Sequence, residues 1–333
     1  MKVVIPLAGK GTRLRPHTHV TPKPLLRVGG QPVMGYILAD LEKLGVREIV
    51  FITGFLKEKI ESYIREAWPQ FTAHFVEQPV QDGTAGAVRL AEPFIDEDCL
   101  IIFVDTLFDA DLSLVHRLAP GTAGVIWAKE VEDYQRFGVV LTDADGHMVR
   151  IIEKPTTPIS KLANIGLYYI RDWKLLFEGI RHTMEQTPGK GGEYYLTDAF
   201  QYMIDHGAKI RVEPGSGWYD CGQLGTLLDT NRHLLENGRA REPQGGTNVR
   251  VMPPVRVEPG VTLENVSIGP NVTIGTGSSL RDCQLRNCIV GERVRLQAVH
   301  LHDSMVGDDA VVERITGTIS LGDHGEVIGR ADG

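Results

Sequence analysis

The sequence predicts an α/β domain over the first two thirds of the chain and a parallel β-helix after it. Short apolar runs alternate with amphipathic helical stretches up to about residue 105, which is typical of a mixed, mainly parallel sheet with helices packed on it. Beyond residue 250, apolar residues recur every five or six positions, and several are followed by glycine. That spacing is typical of a β-helix, in which each short strand forms one face of a coil.

The apolar pattern also indicates the order of the elements in the first domain. A strand at residues 3–7 opens the chain, and an amphipathic helix at 33–44 ends at Gly45, which can take the left-handed conformation that closes a helix. Apolar stretches at 139–141 and 148–152, joined by Asp-Ala-Asp-Gly, predict a β-hairpin. The remaining predicted elements are strands at 48–52, 71–77, 99–104, 162–170 and 209–212 and helices at 57–67, from 84, 196–206 and 224–236.

We expect two domains joined by a linker, because 333 residues exceed the usual size of a single hydrophobic core. The first domain spans residues 1–238, and the β-helix spans residues 251–320. The polar linker between them, at 239–250, begins with Arg-Ala-Arg-Glu-Pro-Gln-Gly-Gly. The apolar repeat that follows predicts about three coils.

The composition is that of an ordinary globular protein, with 42% hydrophobic and 23% charged residues. The formal net charge of −8 argues against a nucleic-acid partner, since such proteins need a basic surface. No apolar run reaches the length of a membrane span, and the first apolar stretch is too short for a signal peptide. Four cysteines without a Cys-x-x-Cys pair predict free thiols. We therefore expect a cytoplasmic protein with no membrane partner.

The N-terminal segment combines a strand, a glycine-rich turn and fixed positive charge. The apolar run ends in GKGTRLRP at residues 9–16, and PKPL follows at residues 22–25. No acidic residue precedes Asp40. Glycines let backbone amides approach an anion closely, and Lys and Arg supply charge. The segment therefore predicts a binding site for a phosphorylated small molecule.

Two common glycine-loop motifs do not fit this segment. A Walker P-loop requires Lys and then Ser or Thr after its last glycine, whereas Thr12 and Arg13 follow Gly11. A dinucleotide-binding fingerprint requires a third glycine at the position where this chain has Leu14. The predicted phosphate site therefore belongs to another class.

The two motifs together resemble the signature of the sugar-1-phosphate nucleotidyltransferases, which make nucleotide sugars. The resemblance covers nearly the whole chain and is closest to the long-form glucose-1-phosphate thymidylyltransferases and uridylyltransferases with a C-terminal left-handed β-helix. It implies a Rossmann-like nucleotidyltransferase domain with a mixed, mainly parallel sheet, followed by a short left-handed parallel β-helix. It also implies nucleotidyl transfer from a nucleoside triphosphate to a sugar 1-phosphate by direct in-line attack, with Mg²⁺ as cofactor.

Two aspartates have the local setting of magnesium ligands. Asp105 follows the buried run 100–104, at the carboxyl end of a predicted strand, and Asp220 lies in the aromatic-flanked turn 217–222. Mg²⁺ prefers carboxylate oxygens. The resemblance implies that both aspartates bind the metal, although Val104 stands where the family commonly has glycine. The catalytic residues that it implies are Arg13, Lys23, Asp105 and Asp220.

The resemblance also assigns residues to each substrate. The amide of Gln78 offers a donor beside an acceptor, which fits the edge of uracil or thymine. Lys154 would hold the sugar phosphate, and Arg13 would stabilise the transition state. The implied nucleotide-binding residues are Leu7, Ala8, Gly9, Lys10, Gly11, Thr12, Arg13, Lys23, Gln78, Gly83 and Thr84. The implied sugar-phosphate residues are Gly138, Glu153, Lys154, Asn164 and Glu193.

The resemblance leaves several alternatives open. UTP and dTTP both remain candidates, and UTP is favoured at least as much as dTTP, because KPL stands at 23–25 where short-form thymidylyltransferases usually read KQL. Glucose 1-phosphate is the expected acceptor, and the alternatives are an N-acetylglucosamine-1-phosphate uridylyltransferase or a mannose-1-phosphate guanylyltransferase. A non-catalytic regulatory subunit of the same fold is disfavoured because the four catalytic residues are present. We expect a homo-oligomer, and we expect His17 and His19 to be solvated loop residues.

Overall fold

The fold is described from a computed structural model, in which residues 1–189 and 191–330 are placed. By its internal contacts the chain divides into two compact units. Unit 1 comprises Met1–Gly9 and Ile37–Trp218, and unit 2 comprises residues 10–36 together with the chain from Tyr219 onward. The GKGTRLRP and PKPL motifs, which we expected within a first domain ending at residue 238, therefore group with the C-terminal part of the chain. Residues 10–36 are called the signature segment below.

Strands and helices alternate through the first two thirds of the chain. The helices are α1 (Val33–Lys43), α2 (Lys57–Ala67), α3 (Thr84–Arg89), α4 (Trp173–Glu185), α5 (Leu196–Asp205) and α6 (Leu224–Leu234). The strands are β1 (Lys2–Pro6), β2 (Arg27–Val28), β3 (Gln31–Pro32), β4 (Glu48–Thr53), β5 (Thr72–Glu77), β6 (Cys99–Ile102), β7 (Thr106–Asp109), β8 (Thr122–Glu130), β9 (Gly138–Thr142), β10 (Met148–Glu153), β11 (Leu162–Ile170), β12 (Lys209–Pro214) and β13 (Gly217–Asp220).

A nine-stranded mixed sheet forms the centre of unit 1. Its parallel part has the order β6-β1-β4-β5, in which Val3 pairs with both Ile49 and Leu100. Strand β11 runs antiparallel to β6, β8 and β9, while β12 runs parallel to β8. The apolar residues of β1, β4 and β6 are buried, which is why these strands read as continuous apolar runs in the sequence.

The elements predicted for this part of the chain are confirmed, including the hairpin of β9 and β10. The prediction has no counterpart for β8 and α4, nor for the short strands β2, β3, β7 and β13. Helix α4 follows Asp172, whose side chain accepts a hydrogen bond of 3.2 Å from the backbone N–H of Leu175. It buries Leu176, Phe177 and Ile180. An N-cap aspartate before apolar residues at helical spacing is a signal that the sequence does contain.

The C-terminal part of unit 2 is a parallel β-helix, as predicted. Five residues pair in series from one coil to the next, and the β-helix therefore has more than the three coils expected. The five residues are Val251, Ile268, Leu285, Leu301 and Gly317. Residues that form hydrogen bonds between successive coils lie 17, then 16 and then 15 positions apart as the β-helix proceeds toward its C-terminal end. The strands begin before the predicted residue 251 and end after 320; they are β14 (Thr247–Val251), β15 (Val255–Val257), β16 (Thr262–Ile268), β17 (Val272–Ile274), β18 (Ser279–Val290), β19 (Arg295–Gln297), β20 (His300–Val306), β21 (Val311–Glu313), β22 (Thr316–Gly317), β23 (Ser320–Leu321) and β24 (Glu326–Ile328).

Asparagine and aspartate occupy several left-handed corners of the β-helix. Asn248, Asn265 and Asp282 have φ values of 52°, 53° and 52°. Their side chains form hydrogen bonds from one coil to the next, at 3.2 and 3.0 Å. Short polar side chains tolerate this backbone conformation better than other residues do. The corners therefore combine a permitted turn with a ladder of side-chain hydrogen bonds.

Four glycines instead form a column where successive coils approach each other. A Cβ on Gly275 would lie 2.5 Å from the carbonyl oxygen of Gly291. A Cβ on Gly291 or Gly307 would lie 2.8 or 2.7 Å from the carbonyl carbon of the next glycine in the column. Glycine is required here by close backbone approach. We call Gly275, Gly291, Gly307 and Gly322 the glycine column.

All four cysteines are buried, and none of them forms a disulfide. Burial raises the pKa of Cys99 to about 12 and the pKa values of Cys283 and Cys288 to about 11. These three thiols are therefore not activated nucleophiles. Within residues 1–189 and 191–330, no helix is both long enough and apolar enough to cross a membrane.

Candidate functional site

Strand β1 of unit 1 ends at Pro6, directly before Leu7, the first of the predicted nucleotide-binding residues. Leu7 and Ala8 are buried, and the backbone N–H of Leu7 donates to the carbonyl of Ile52 at 2.7 Å. Gly9 is exposed, and a Cβ built on it would meet no atom within 4 Å. The backbone at the end of this strand is therefore fixed by the sheet and open to an approaching ligand.

The turn of the signature segment is held by Gly11 in a left-handed conformation, with φ of 60°. The hydroxyl of Thr18 donates to the carbonyl of Gly11 at 2.8 Å. A Cβ on Gly11 would lie 3.1 Å from the side chains of both Thr18 and Lys23, so the turn leaves little room for any other residue. Leu14 is buried and anchors the turn, whereas Thr12 and Arg13, which precede it, are exposed.

Three cations of this turn are available to an anion. Lys10, Arg13 and Arg15 are exposed. Among the residues that the structure places, the side chains of these three form no hydrogen bond or salt bridge. An exposed cation without an internal carboxylate partner keeps its full charge for a ligand, and Arg adds a planar fork that matches phosphate oxygens. The turn is therefore an electropositive surface with no counter-ion of its own.

Within unit 2, Lys23 and Asp220 meet at Gly222. A Cβ on Gly222 would lie 2.7 Å from Asp220 Oδ1 and 3.5 Å from Lys23 Nζ. The backbone N–H of Gly222 donates to Asp220 Oδ1 at 2.7 Å and orients the carboxylate. The structure thus brings together two of the four residues predicted to be catalytic. Glycine at 222 is needed because a side chain would occupy the space that these two groups share.

The predicted base-binding residues Gln78, Gly83 and Thr84 lie together in unit 1. Gln78 is buried, and its amide nitrogen donates to Asp82 Oδ1 at 2.9 Å and to the carbonyl of Gly83 at 3.4 Å. The expectation that this amide presents both a donor and an acceptor to the base is therefore revised. The nitrogen is used within the protein, and the oxygen is the atom suited to a ligand.

The segment that contains Gly83 and Thr84 is joined by hydrogen bonds to the residues that follow Glu193. The backbone N–H of Tyr194 donates to the carbonyl of Asp82 at 2.8 Å, and the Thr84 hydroxyl accepts from the backbone N–H of Leu196 at 2.9 Å. A Cβ on Gly83 would lie 2.4 Å from the carbonyl oxygen of Tyr194. These contacts leave Glu193 exposed beside the predicted base-binding segment.

Three of the predicted sugar-phosphate residues form one cluster in unit 1. The Asn164 amide donates to the carbonyl of Gly138 at 2.9 Å and accepts from the Tyr168 hydroxyl. A Cβ on Gly138 would lie 2.4 Å from Asn164 Nδ2 and 2.8 Å from Glu153 Oε2. The absence of a side chain at Gly138 is therefore what lets the amide and the carboxylate converge.

Sequence reasoning missed two side chains of this cluster. The Thr197 hydroxyl lies 3.4 Å from Glu153 Oε2, to which it donates a hydrogen bond. The ammonium of Lys154 lies 4.9 Å from the centroid of the Tyr195 ring, a cation–π contact. Both residues belong to the stretch GEYYLTD at residues 192–198, which also contains the predicted residue Glu193.

Burial and negative charge dominate the electrostatics of the cluster. Burial raises the pKa of Glu153, and the Lys154 ammonium and the Thr197 hydroxyl only partly oppose it. Burial also raises the pKa of Tyr168 well above its usual range, and the charges of Glu153 and Asp105 add to that effect. Asp105 is therefore close enough to act on the cluster electrostatically.

Asp105 lies in the turn after β6, which ends at Ile102, two residues earlier than predicted. Its carboxylate accepts a hydrogen bond from the Thr106 hydroxyl at 3.3 Å, and the residue is exposed. Val104 is buried, so its side chain packs into the interior while Asp105 faces solvent. The valine that replaces the common glycine therefore does not stand exposed beside the carboxylate.

We predict that Glu153→Gln raises the melting temperature at pH 8, by an amount on the order of 1–3 °C. The pKa of Glu153 is raised in the folded protein, so ionising this carboxyl costs folding free energy. The wild-type penalty is absent below the unfolded pKa of about 4.5 and is complete once the pH exceeds the folded pKa. Thermal melts of both proteins from pH 4.5 to pH 8 should therefore diverge as the pH rises, and parallel curves would contradict the raised pKa.

A sequence model of the nucleotidyl transferase family matches residues 2–237. The chain belongs to this family. It is 34% identical over 265 residues to the bifunctional protein GlmU of Methanococcus aeolicus, covering 79% of this chain and 62% of GlmU. It is 28% identical to the glucose-1-phosphate thymidylyltransferase of Streptomyces antibioticus, in an alignment of 358 positions that covers 94% of this chain and 99% of that protein.

Two further comparisons extend this result. The chain is 29% identical to the low-salt glycan biosynthesis nucleotidyltransferase Agl11 of Haloferax volcanii, covering 93% of each chain. A solved structure of UDP-glucose pyrophosphorylase in complex with UDP-glucose matches with a TM-score of 0.62 and 24% identity, over 71% of this chain and 98% of that one. This likeness shows the nucleotidyltransferase fold. The chain spans less than two thirds of the length of two of these relatives, 62% of GlmU of Methanococcus aeolicus and 55% of GlmU of Methanocaldococcus jannaschii.

Proposed function

We propose that this protein transfers a nucleotidyl group from a pyrimidine nucleoside triphosphate, UTP or dTTP, to a hexose 1-phosphate, with glucose 1-phosphate as the expected acceptor. The observation that carries the proposal is the glycine turn of the signature segment, with the exposed and unpaired cations Lys10 and Arg13. The family membership and the names of the full-length relatives support the same reaction.

In the proposed reaction, an oxygen of the sugar phosphate attacks the α-phosphorus of the triphosphate. A new P–O bond forms on one side while the bond to the β-phosphate breaks on the other, and pyrophosphate leaves with the electron pair. Lys10 and Lys23 would neutralise the triphosphate. Arg13 would act on the charge that grows on the transferred group and on the leaving pyrophosphate.

For the sugar phosphate, the cluster in unit 1 offers both charge and hydrogen-bonding groups. The Lys154 ammonium would bind the phosphate, since it lies beside Glu153 of the cluster and its side chain is 42% exposed. Glu153 would accept hydrogen bonds from sugar hydroxyls, together with the exposed Glu193. Asn164 is held by Gly138 and Tyr168, so its amide would meet the sugar in one fixed orientation.

For the metal, Asp105 and Asp220 each offer hard carboxylate oxygens of the kind that Mg²⁺ takes. Asp105 is exposed, and Asp220 is oriented by the N–H of Gly222, so both side chains fit a magnesium ligand. When bound, Mg²⁺ would neutralise phosphate charge and favour the departure of pyrophosphate.

For the base, the side chain of Gln78 favours a pyrimidine. Its nitrogen is held by Asp82 and Gly83, so its oxygen would accept a hydrogen bond from the N3–H of uracil or thymine. Both pyrimidines carry this N–H, and the contact therefore does not separate UTP from dTTP.

We expect Mg²⁺-dependent release of pyrophosphate when the protein is given UTP or dTTP and a hexose 1-phosphate. The measurement is a matrix of four nucleoside triphosphates against glucose, N-acetylglucosamine and mannose 1-phosphates, each with Mg²⁺ and with EDTA. The pair with the highest kcat/KM identifies the substrates. If no pair released pyrophosphate above the EDTA control, the proposed reaction would be wrong, and preference for GTP with mannose 1-phosphate would overturn the pyrimidine assignment.

A further inference from the structure

The signature segment contacts the β-helix through a buried histidine. His17, which we expected to be solvated, is only 1% exposed. Its Nε2 lies 3.1 Å from the hydroxyl of Ser320, in the last part of the β-helix. Burial lowers the pKa of His17 to about 4, so the ring is neutral at physiological pH. His17 is therefore not a phosphate-binding cation, and its one hydrogen bond is directed at the β-helix.

Two more side chains of the signature segment bond to the β-helix. The Thr21 hydroxyl donates to Asp323 Oδ2 at 2.6 Å, and the other oxygen of Asp323 accepts from the backbone N–H of Asp308 at 3.0 Å. Arg27 Nη2 lies 2.8 Å from Glu292 Oε1. These contacts reach different coils, so the segment lies along the β-helix and does not touch it at one point only.

Gly322, the last glycine of the column, allows the segment to approach the β-helix closely. A Cβ on Gly322, at the end of the column, would lie 3.1 Å from the carbonyl oxygen of Pro16, the residue before His17. A cavity of about 60 Å³ remains beside the column, lined from one side by His17, Thr21 and Arg27. Because Gly322 has no side chain, the backbone of the segment at Pro16 can lie directly against this end of the β-helix.

A buried polar group joins the other end of the segment to the β-helix. Asn231 in α6 is fully buried, and its Oδ1 accepts from the backbone N–H of Gly29 at 2.9 Å and from the hydroxyl of Thr273 at 2.7 Å. Within the described part of the chain, Asn231 Nδ2 and His17 Nδ1 find no hydrogen-bond partner. Unpaired buried nitrogens cost folding free energy, so stability alone does not account for these two residues.

We propose that the β-helix positions the signature segment for nucleotide binding, and that His17 is a positioning residue for this purpose. The proposal rests on the proposed function, in which Lys10, Arg13 and Lys23 hold the triphosphate. His17 lies in the chain between Arg13 and Lys23, and the bond to Ser320 fixes the backbone between these two cations. Misplacement of binding groups by about 1 Å can cost up to 10²-fold in rate, so the geometry of this segment matters.

The central test removes the bond from each side. His17→Leu and Ser320→Ala should each raise the KM for the nucleoside triphosphate about tenfold, the effect of one lost hydrogen bond, while the KM for the sugar phosphate stays unchanged. His17→Gln, whose amide nitrogen can reach the position of Nε2, should restore the wild-type KM. His17→Leu also removes a buried nitrogen that has no hydrogen-bond partner among the placed residues. Its melting temperature should therefore fall little, even though its KM for the nucleoside triphosphate rises.

A second variant acts from the β-helix without touching the histidine. Gly322→Ala should push on the carbonyl of Pro16 and raise the same KM. The matched control is Gly245→Ala, because a Cβ at Gly245 meets nothing within 4 Å. It should leave both KM values at the wild-type level.

Hydrogen exchange separates this inference from the proposed function. In His17→Leu and Gly322→Ala, the amides of residues 10–26 should exchange faster than in the wild type, whether or not a nucleotidyl-transfer activity is found. Unchanged exchange in this segment would overturn the positioning role even in an active enzyme. An equal rise of both KM values in every variant would also overturn it, since a general loss of folded protein acts on both substrates.

Discussion

Replacing Arg13 by alanine should lower kcat/KM for nucleotidyl transfer by about 10²–10³-fold, which corresponds to roughly 3–4 kcal/mol of transition-state stabilisation. The reason is its position on the glycine turn. Arg13 is exposed, its side chain has no carboxylate partner among the placed residues, and the chain around it is fixed by the buried Leu14. The backbone beside it is anchored and its charge is not engaged by another of the placed side chains, so its attraction to the charge of the leaving pyrophosphate can appear in the transition state.

The Arg13 prediction has a graded control. Arg13→Lys keeps the charge but loses the planar fork, so its kcat/KM should lie between those of the wild type and of the alanine variant. Arg250→Ala removes an equally exposed arginine from β14 of the same unit and should have no effect. Steady-state kinetics with the best substrate pair measures all three. An Arg13→Ala enzyme within about threefold of the wild type would remove this residue from the transition state.

The sequence was sufficient for those parts of the candidate site that are local in the chain. The left-handed Gly11, the exposed cations beside it and the strand that precedes them follow from a short motif. The family resemblance assigned Gly138, Glu153 and Asn164 to the sugar phosphate, and the structure brings them together. Their meeting depends on the pairing of β9 with β10 and β11, which the predicted hairpin partly anticipated.

The parts that could not be predicted depend on contacts between distant residues. Gln78 lost one of its expected roles because the side chain of Asp82 takes its amide nitrogen. His17 is buried, and its hydrogen-bond partner Ser320 lies 303 residues away in the sequence. Neither feature produces a periodic pattern, and a histidine in a glycine-rich loop resembles any solvated histidine until its partner is known.

Asp105→Asn should reduce turnover by about 10³-fold while leaving the melting temperature unchanged. Removing one carboxylate from a magnesium site forfeits several kcal/mol of charge stabilisation in the transition state, whereas an exposed side chain of the same shape contributes little to folding. The substitution keeps the size of the side chain and an oxygen that can accept from the Thr106 hydroxyl. The loss should therefore arise from the metal and not from a rearranged turn.

Metal titration distinguishes this explanation from a general electrostatic effect. With Mn²⁺ as a paramagnetic probe, Asp105→Asn should bind the ion in the presence of the triphosphate more weakly than the wild type does, and excess Mg²⁺ should restore part of the activity. The control is Glu178→Gln on α4, which removes one exposed negative charge from the same unit and should change neither Mn²⁺ binding nor turnover. If Asp105→Asn bound Mn²⁺ as tightly as the wild type and yet turned over slowly, its carboxylate would act on the substrates directly. In that case the metal role would fall to Asp220, whose carboxylate is oriented by the N–H of Gly222 beside Lys23.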